Sequence, residues 1–205
     1  MSDFWRQQRT LHTELSHKKP VQDPTSYLVY KELAQEAYKK KPSQTVMKDW
    51  NLILNTNNNK VYQNRMTGEV VNAVSGSKSL KDFANDGLQY LGWSNNPLQR
   101  KRYGETDDIL KRLSAIERKR DVNLTSHSLG SNVSNRLVQE GKSSKSVNFN
   151  AFIPDKALNI DDDRVINIRN KNDFASKLTK DNNNTVNLDN PSNSIKSHFM
   201  SELKL

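Results

Sequence analysis

The sequence predicts an α/β fold: a mostly parallel central sheet, an antiparallel hairpin at one edge, and helices on both faces. Three observations carry this expectation. Short β-rich runs joined by Asn- and Gly-containing turns fill residues 50–74, the texture of antiparallel hairpins. From residue 121 onward strand-like runs alternate with helical segments, which indicates parallel strands linked by crossovers. The length of 205 residues suits one domain of moderate size. The expected organisation is a polar lead over 1–24 and a single domain over 25–205.

The elements follow in order from local pattern. The lead contains Pro20 and Pro24 near its end. Thr25 or Ser26 can cap a helix over 25–40, in which Leu28, Leu33, Ala34 and Ala37 approximate one apolar stripe. Strands over 50–55 and 60–65 flank a TNNN turn, and a third over 68–74 follows an MTG turn. In the helix expected over 79–92, Leu80, Phe83, Ala84, Leu88 and Leu91 share a face. Residues 93–104 read as a polar loop. A helix over 106–120 then begins at a Thr/Asp start and carries Ile109, Leu113 and Ile116 at helical spacing. A strand over 121–126 leads into a helix over 129–141, ended by Gly141. Strands follow over 145–154 and 163–170. Residues 171–190 read as loop with a short helix near 173–180, and a short helix after Asn190 closes the chain.

Composition narrows the function classes. The formal net charge of +9 favours anionic partners. The basic runs at 99–102 and 117–120 lie among acids and accompany no nucleic-acid-binding motif. Nucleic acid is therefore not an expected partner, and an anionic membrane surface is the better candidate. The absence of cysteine excludes disulfides and cysteine-ligated metal. The N-terminal residues lack the apolar run of a signal peptide, and no apolar run approaches the roughly 20 residues that cross a bilayer. The expectation is a soluble protein, cytoplasmic or virion-associated, with no cofactor or metal. The oligomeric state has no signature in the sequence.

One stretch carries chemistry. In VNLTSHSLGS, residues 122–131, a strand ends, the chain turns, and a helix begins. A serine at such a turn projects above the sheet. The helix N-terminus and the next backbone N–H then face a developing oxyanion. Small residues are needed two positions before and after the serine, because the backbones pass closely there. For Ser128 those residues are Ser126 and Gly130. The alternative is that Ser128 and Ser131 merely cap the helix. A catalytic serine of this kind needs an acid and then a histidine later in the chain. Asp173 lies just past the strand over 163–170, on the same sheet edge as Ser128. It can equally cap a following helix. Asp155 and the run Asp161–Asp163 lie before a strand or after a different one. Of four histidines, His12 and His17 fall in the lead. His127 adjoins Ser128 with its side chain expected to point away from the serine. Only His198 follows Asp173.

Taken together these segments resemble the class 3 lipases of the α/β-hydrolase superfamily. VYQNRMTGEVVNAVSGSKSLKDFANDGLQYLG is similar to the family's strand ending in an Arg-Gly-Thr/Ser turn followed by Lys-x-x-x-Asp-aromatic. VNLTSHSLGSNVSNRLV resembles its Gly-His-Ser-Leu-Gly-Gly elbow. RVINIRNKNDFAS resembles the strand leading to its acid, and SIKSHFMSEL its late histidine segment. The resemblance spans roughly residues 28–203. It implies an α/β-hydrolase-like fold with Ser128 as nucleophile, Asp173 as acid and His198 as base. It also implies an oxyanion hole from the backbone N–H groups of Ser77 and Leu129. The implied reaction is acyl transfer on a lipid or other acyl ester, without cofactor. Ser75 stands where the family has arginine, and Ser126 and Ser131 where it has glycine. The chain's end admits two registers. One puts His198 at the base position; the other puts Asn193 there, which would leave a catalytically inactive lipase-like fold serving as a binding or structural component, such as part of a virion. The chain is short for the family and leaves little sequence for a large lid.

Overall fold

A computed structural model describes residues 27–77, 97–116, 121–153, 158, 162–174, 184–189 and 198. Its centre is a seven-stranded sheet in the order β1 to β7. The strands are β1 Trp50–Asn55, β2 Asn59–Asn64, β3 Val70–Val74, β4 Val122–His127, β5 Ser146–Phe149, β6 Val165–Asn170 and β7 Thr185–Leu188. Strands β1 to β3 are antiparallel neighbours. Strands β3 to β7 are parallel. The mostly parallel sheet with an antiparallel edge is the arrangement expected from the sequence.

Among the described residues four helices accompany it: α1 Leu28–Glu36, α2 Gln44–Asp49, α3 Pro97–Ile116 and α4 Gly130–Gln139. The two-residue period of the strands divides the core between the faces. Val71, Ala73, Val147, Phe149 and Ile168 pack with Tyr30, Leu33 and Ala34 of α1. Val70, Val74, Leu124 and Val165 face the other way, toward Ile109 and Leu110 of α3 and Val133, Leu137 and Val138 of α4. Because β3 to β7 advance in one direction, right-handed crossovers fall on one face. Helices α3 and α4 share that face, and α1 covers the opposite one. Among the described residues no helix is long and apolar enough to cross a membrane.

The α4 face also explains how so polar a sequence builds an interior. Asn148 is fully buried. Its amide donates to Asn135 Oδ1 at 2.6 Å and Asn167 Oδ1 at 3.0 Å. Its carbonyl oxygen accepts from the hydroxyls of Ser126 and Ser146, each at 2.6 Å. Buried polar groups persist when they are paired, and here paired amides occupy positions that aliphatic side chains usually fill.

Several boundaries differ from the sequence expectation. Helix α3 starts at Pro97, within residues read as loop. Proline is preorganised for a first helical position, and the following Leu, Gln, Arg and Lys are good helix formers without an apolar stripe to reveal them. Strand β5 stops at Phe149 because Asn150 turns into the left-handed region at φ 44°. Strand β7, unanticipated, pairs Thr185–Leu188 with β6; four residues are too few to display a period. Helix α2 is likewise short, capped where Val46 N–H donates to Ser43 Oγ at 3.4 Å. The lead over 1–24, the helix expected over 79–92, residues 117–120 and 175–180, and the closing helix apart from His198 lie outside the described residues.

Candidate active site

Strand β4 sits between β3 and β5, and its carboxyl end delivers His127 and then Ser128. The chain reverses at Ser128, whose φ is 56°, a conformation costly for a residue with a Cβ. Its surroundings hold it there. Ser128 N–H donates to Phe149 O at 3.1 Å, and Ser128 O accepts from Ser131 N–H at 3.1 Å and Phe152 N–H at 3.2 Å. Helix α4 starts two residues later, at Gly130.

The close approach expected around this turn is visible at two glycines. A Cβ on Gly130 would lie 2.5 Å from Val74 O, and one on Gly76 would lie 2.7 Å from His127 O and 3.0 Å from Ser128 Cβ. The first obstruction is strand backbone, which cannot move aside without breaking the sheet. Gly130→Ala is therefore expected to destabilise the protein by about 2–3 kcal/mol, measured by urea unfolding. A loss below about 0.5 kcal/mol, the scale of an inconsequential surface change, would contradict this packing. The serines at the positions usually held by glycine are reconciled with each other. Ser126 Oγ, whose own hydrogen goes to Asn148 Oδ1, lies 3.1 Å from Ser131 Oγ and accepts from it; both residues are fully buried, so the two substitutions form one hydrogen-bonded pair.

Ser128, Asp173 and His198, separated by up to 70 residues in the chain, meet at the carboxyl edge of the sheet. His198 Nε2 is 2.9 Å from Ser128 Oγ, and His198 Nδ1 is 2.8 Å from Asp173 Oδ1. All three are buried. Asp173 follows β6, its N–H donating to Asn170 O at 3.0 Å. Phe174 lies against the His198 ring, centroids 5.4 Å apart. Of the competing acids, Asp162 pairs with Arg164 at 2.6 Å before β6, at the opposite edge. Asp155, Asp161 and Asn193 lie outside the described residues.

Ser77 ends the turn that follows β3, and Leu129 is buried at the N-cap of α4. The turn before Ser77 is pinned. Ser75, buried, donates from its N–H to Asn58 O at 2.9 Å and from its hydroxyl to the same oxygen at 3.3 Å. Gly76 N–H donates to Tyr38 Oη at 2.7 Å, and Arg102 Nη2 donates to Gly76 O at 3.3 Å.

Two residues of the site escaped the sequence reading. His127 turns from Ser128, as anticipated, yet it reaches the histidine beside that serine: His127 Nε2 lies 2.8 Å from His198 O. Its Nδ1 lies 2.9 Å from Tyr38 Oη. Tyr38 is 89 residues upstream of His127, just past α1, and no local pattern links the two. Burial pushes the Tyr38 hydroxyl up to about 12. Burial, and then the neighbouring His198, push His127 down to about 3. A histidine lowered on folding binds its proton in the unfolded chain first, so its contribution to stability is present above the unfolded value of about 6.5 and lost as pH falls toward 3. Between about pH 6 and 4, wild-type stability is expected to fall more steeply than that of His127→Gln, by up to about 1.4 kcal/mol per pH unit. Urea unfolding across that range measures the difference; equal slopes would mean that His127 is charged in the folded protein.

Protein-family models provide no match to the chain, and no curated protein matches it in sequence. Solved structures do. The chain is similar to the Lip2 lipase from Yarrowia lipolytica, with 12% identity and a TM-score of 0.54 over 76% of this chain and 76% of that one. It is also similar to a lipase from Rhizopus microsporus var. chinensis, with 12% identity and a TM-score of 0.51 over 76% of this chain and 69% of that one. At such identity the likeness is one of architecture, and the architecture is a lipase-like α/β-hydrolase fold.

Proposed function

We propose that this chain is a serine ester hydrolase of the class 3 lipase kind, cleaving a lipid or other acyl ester through an acyl-enzyme at Ser128. The observation that carries the reading is the continuous Ser128–His198–Asp173 contact at 2.9 and 2.8 Å. His198 Nε2 accepts the Ser128 proton as Oγ attacks the ester carbonyl carbon. The carbonyl oxygen takes up the negative charge, facing the N–H groups of Ser77 and Leu129. The tetrahedral adduct collapses, the alcohol leaves with the proton held by His198, and the acyl group stays on Ser128. Water, deprotonated by His198, then attacks the acyl-enzyme and releases the acid. Asp173 accepts from Nδ1–H throughout, keeping Nε2 available as base. Exposed lysines and arginines would hold the protein on anionic lipid, each near-surface one contributing on the order of 1 kcal/mol.

The purified protein is expected to hydrolyse p-nitrophenyl butyrate and to take a fluorophosphonate label at Ser128. If neither occurs, the hydrolase reading fails and an inactive lipase-like binding fold takes its place.

A further inference from the structure

Beneath the Ser128–His198–Asp173 row runs a second hydrogen-bonded chain that the acyl-transfer steps do not use. It starts at the turn before Ser77, where Gly76 N–H donates to Tyr38 Oη at 2.7 Å. That hydroxyl lies 2.9 Å from His127 Nδ1. His127 Nε2 in turn lies 2.8 Å from the carbonyl oxygen of His198. The chemistry of the ends sets every proton. A backbone carbonyl only accepts, so Nε2 carries the hydrogen. Nδ1 of the neutral ring is then an acceptor, and it receives the Tyr38 hydroxyl hydrogen. The Tyr38 oxygen is left to accept from Gly76.

The His198 carbonyl has a second anchor. Asn150 Nδ2 donates to it at 3.1 Å, and Asn150 Oδ1 accepts from Asn170 N–H at 3.0 Å. Asn150 holds the left-handed turn at the end of β5, and Asn170 is three residues before Asp173. One anchor therefore ties the backbone of His198 to the strand that carries the acid. The other ties it to the turn that carries Ser77. The rings of His127 and His198 are 5.0 Å apart, close enough for one to limit the tilt of the other.

We propose that His127 and Tyr38 are positioning residues, a strut that fixes the base His198 against the oxyanion turn so that proton acceptance and carbonyl polarisation occur at one registered distance. The proposal rests on the hydrolase reading. It assigns a role to the histidine of the elbow and to a tyrosine outside every segment that carries the family resemblance's site residues.

The test uses the full chain with p-nitrophenyl butyrate. His127→Phe removes both ring hydrogen bonds and is expected to lower kcat about 10- to 100-fold with KM changed less than about threefold, since the strut touches no substrate. His127→Gln can place an amide N–H where Nε2–H was and is expected to recover most of that rate. Tyr38→Phe is expected to lower kcat comparably, and the double variant Tyr38→Phe/His127→Phe to be no worse than the poorer single one, because one strut cannot be broken twice. Unchanged kcat in folded His127→Phe, a glutamine variant as slow as the phenylalanine one, or additive losses would each overturn the strut.

A second measurement is independent of catalysis. In nitrogen-detected spectra of histidine-labelled wild type at pH 7, His127 is expected as the neutral Nε2–H tautomer. An Nδ1–H tautomer or an imidazolium there overturns the strut even in an active enzyme. An inactive wild type showing the Nε2–H tautomer supports the strut and sinks the hydrolase reading, so the two failures are distinguishable.

Discussion

Ser128→Ala is expected to lower kcat/KM for p-nitrophenyl butyrate at least about a thousandfold and to abolish fluorophosphonate labelling, because no acyl-enzyme can form without the Oγ nucleophile. Stability should barely move. The turn at Ser128 is held by backbone bonds to Phe149, Ser131 and Phe152, none of which involves the hydroxyl. Alanine tolerates φ 56° about as poorly as serine does, so that strain is common to both proteins. What disappears is one hydrogen bond to His198 Nε2, worth about 1 kcal/mol. A large kinetic loss with a small shift in the urea midpoint is thus the signature of a nucleophile. Retention of more than about a tenth of the activity would put the hydrolysis on another residue. A loss accompanied by unfolding would make Ser128 a residue of the elbow's architecture.

Asp173→Asn is expected to cost about 10⁴-fold in kcat, through the protonation pattern of its neighbour. Asp173 is fully buried and its Oδ1 sits 2.8 Å from His198 Nδ1. As a carboxylate it can only accept, which puts a hydrogen on Nδ1 and leaves Nε2 with a lone pair toward Ser128. An asparagine can turn its amide toward Nδ1 and donate to it. The ring hydrogen then moves to Nε2, where it faces Ser128 Oγ as a donor and cannot take the serine proton. Ester turnover and the rate of fluorophosphonate labelling should fall together, since both need the activated serine. An Asp173→Asn variant keeping more than about a tenth of wild-type labelling would show that the acid does not set the tautomer.

These two predictions draw on residues that differ in how readable they are. Ser128 was legible because a change of hydrophobic period, from two to 3.6, falls at a run of small residues. Both signals are local, and β4 and α4 form from them directly. Asp173 and His198 were legible only by order and elimination: an acid just past the strand expected over 163–170, and the one histidine after it. Nothing local at His198 separates a base from a surface residue; its 2.9 Å approach to Ser128 is a contact between residues 70 apart in the chain. The first two turns of α3 and the four residues of β7 were hidden for another reason. Charged helices and very short strands take their stability from neighbours, so their own sequences carry little pattern.

The departures from the lipase-like motif illustrate the same division. By its sequence alone, this protein specifies alternating strands and helices, a strand-turn-helix elbow around Ser128, and a basic chain without cysteine. Those follow from side-chain period, turn residues and charge, which neighbours in the chain decide. Only the tertiary structure reveals that Ser126 and Ser131 pair with each other, that Asn148 bridges Asn135 and Asn167 on the α4 face, and that Tyr38 and His127 join the turn at Gly76 to His198. Those are contacts between buried polar groups far apart in sequence. Their energies turn on distances of a few tenths of an ångström and on which partner donates, and a linear string of residues encodes neither until it is folded.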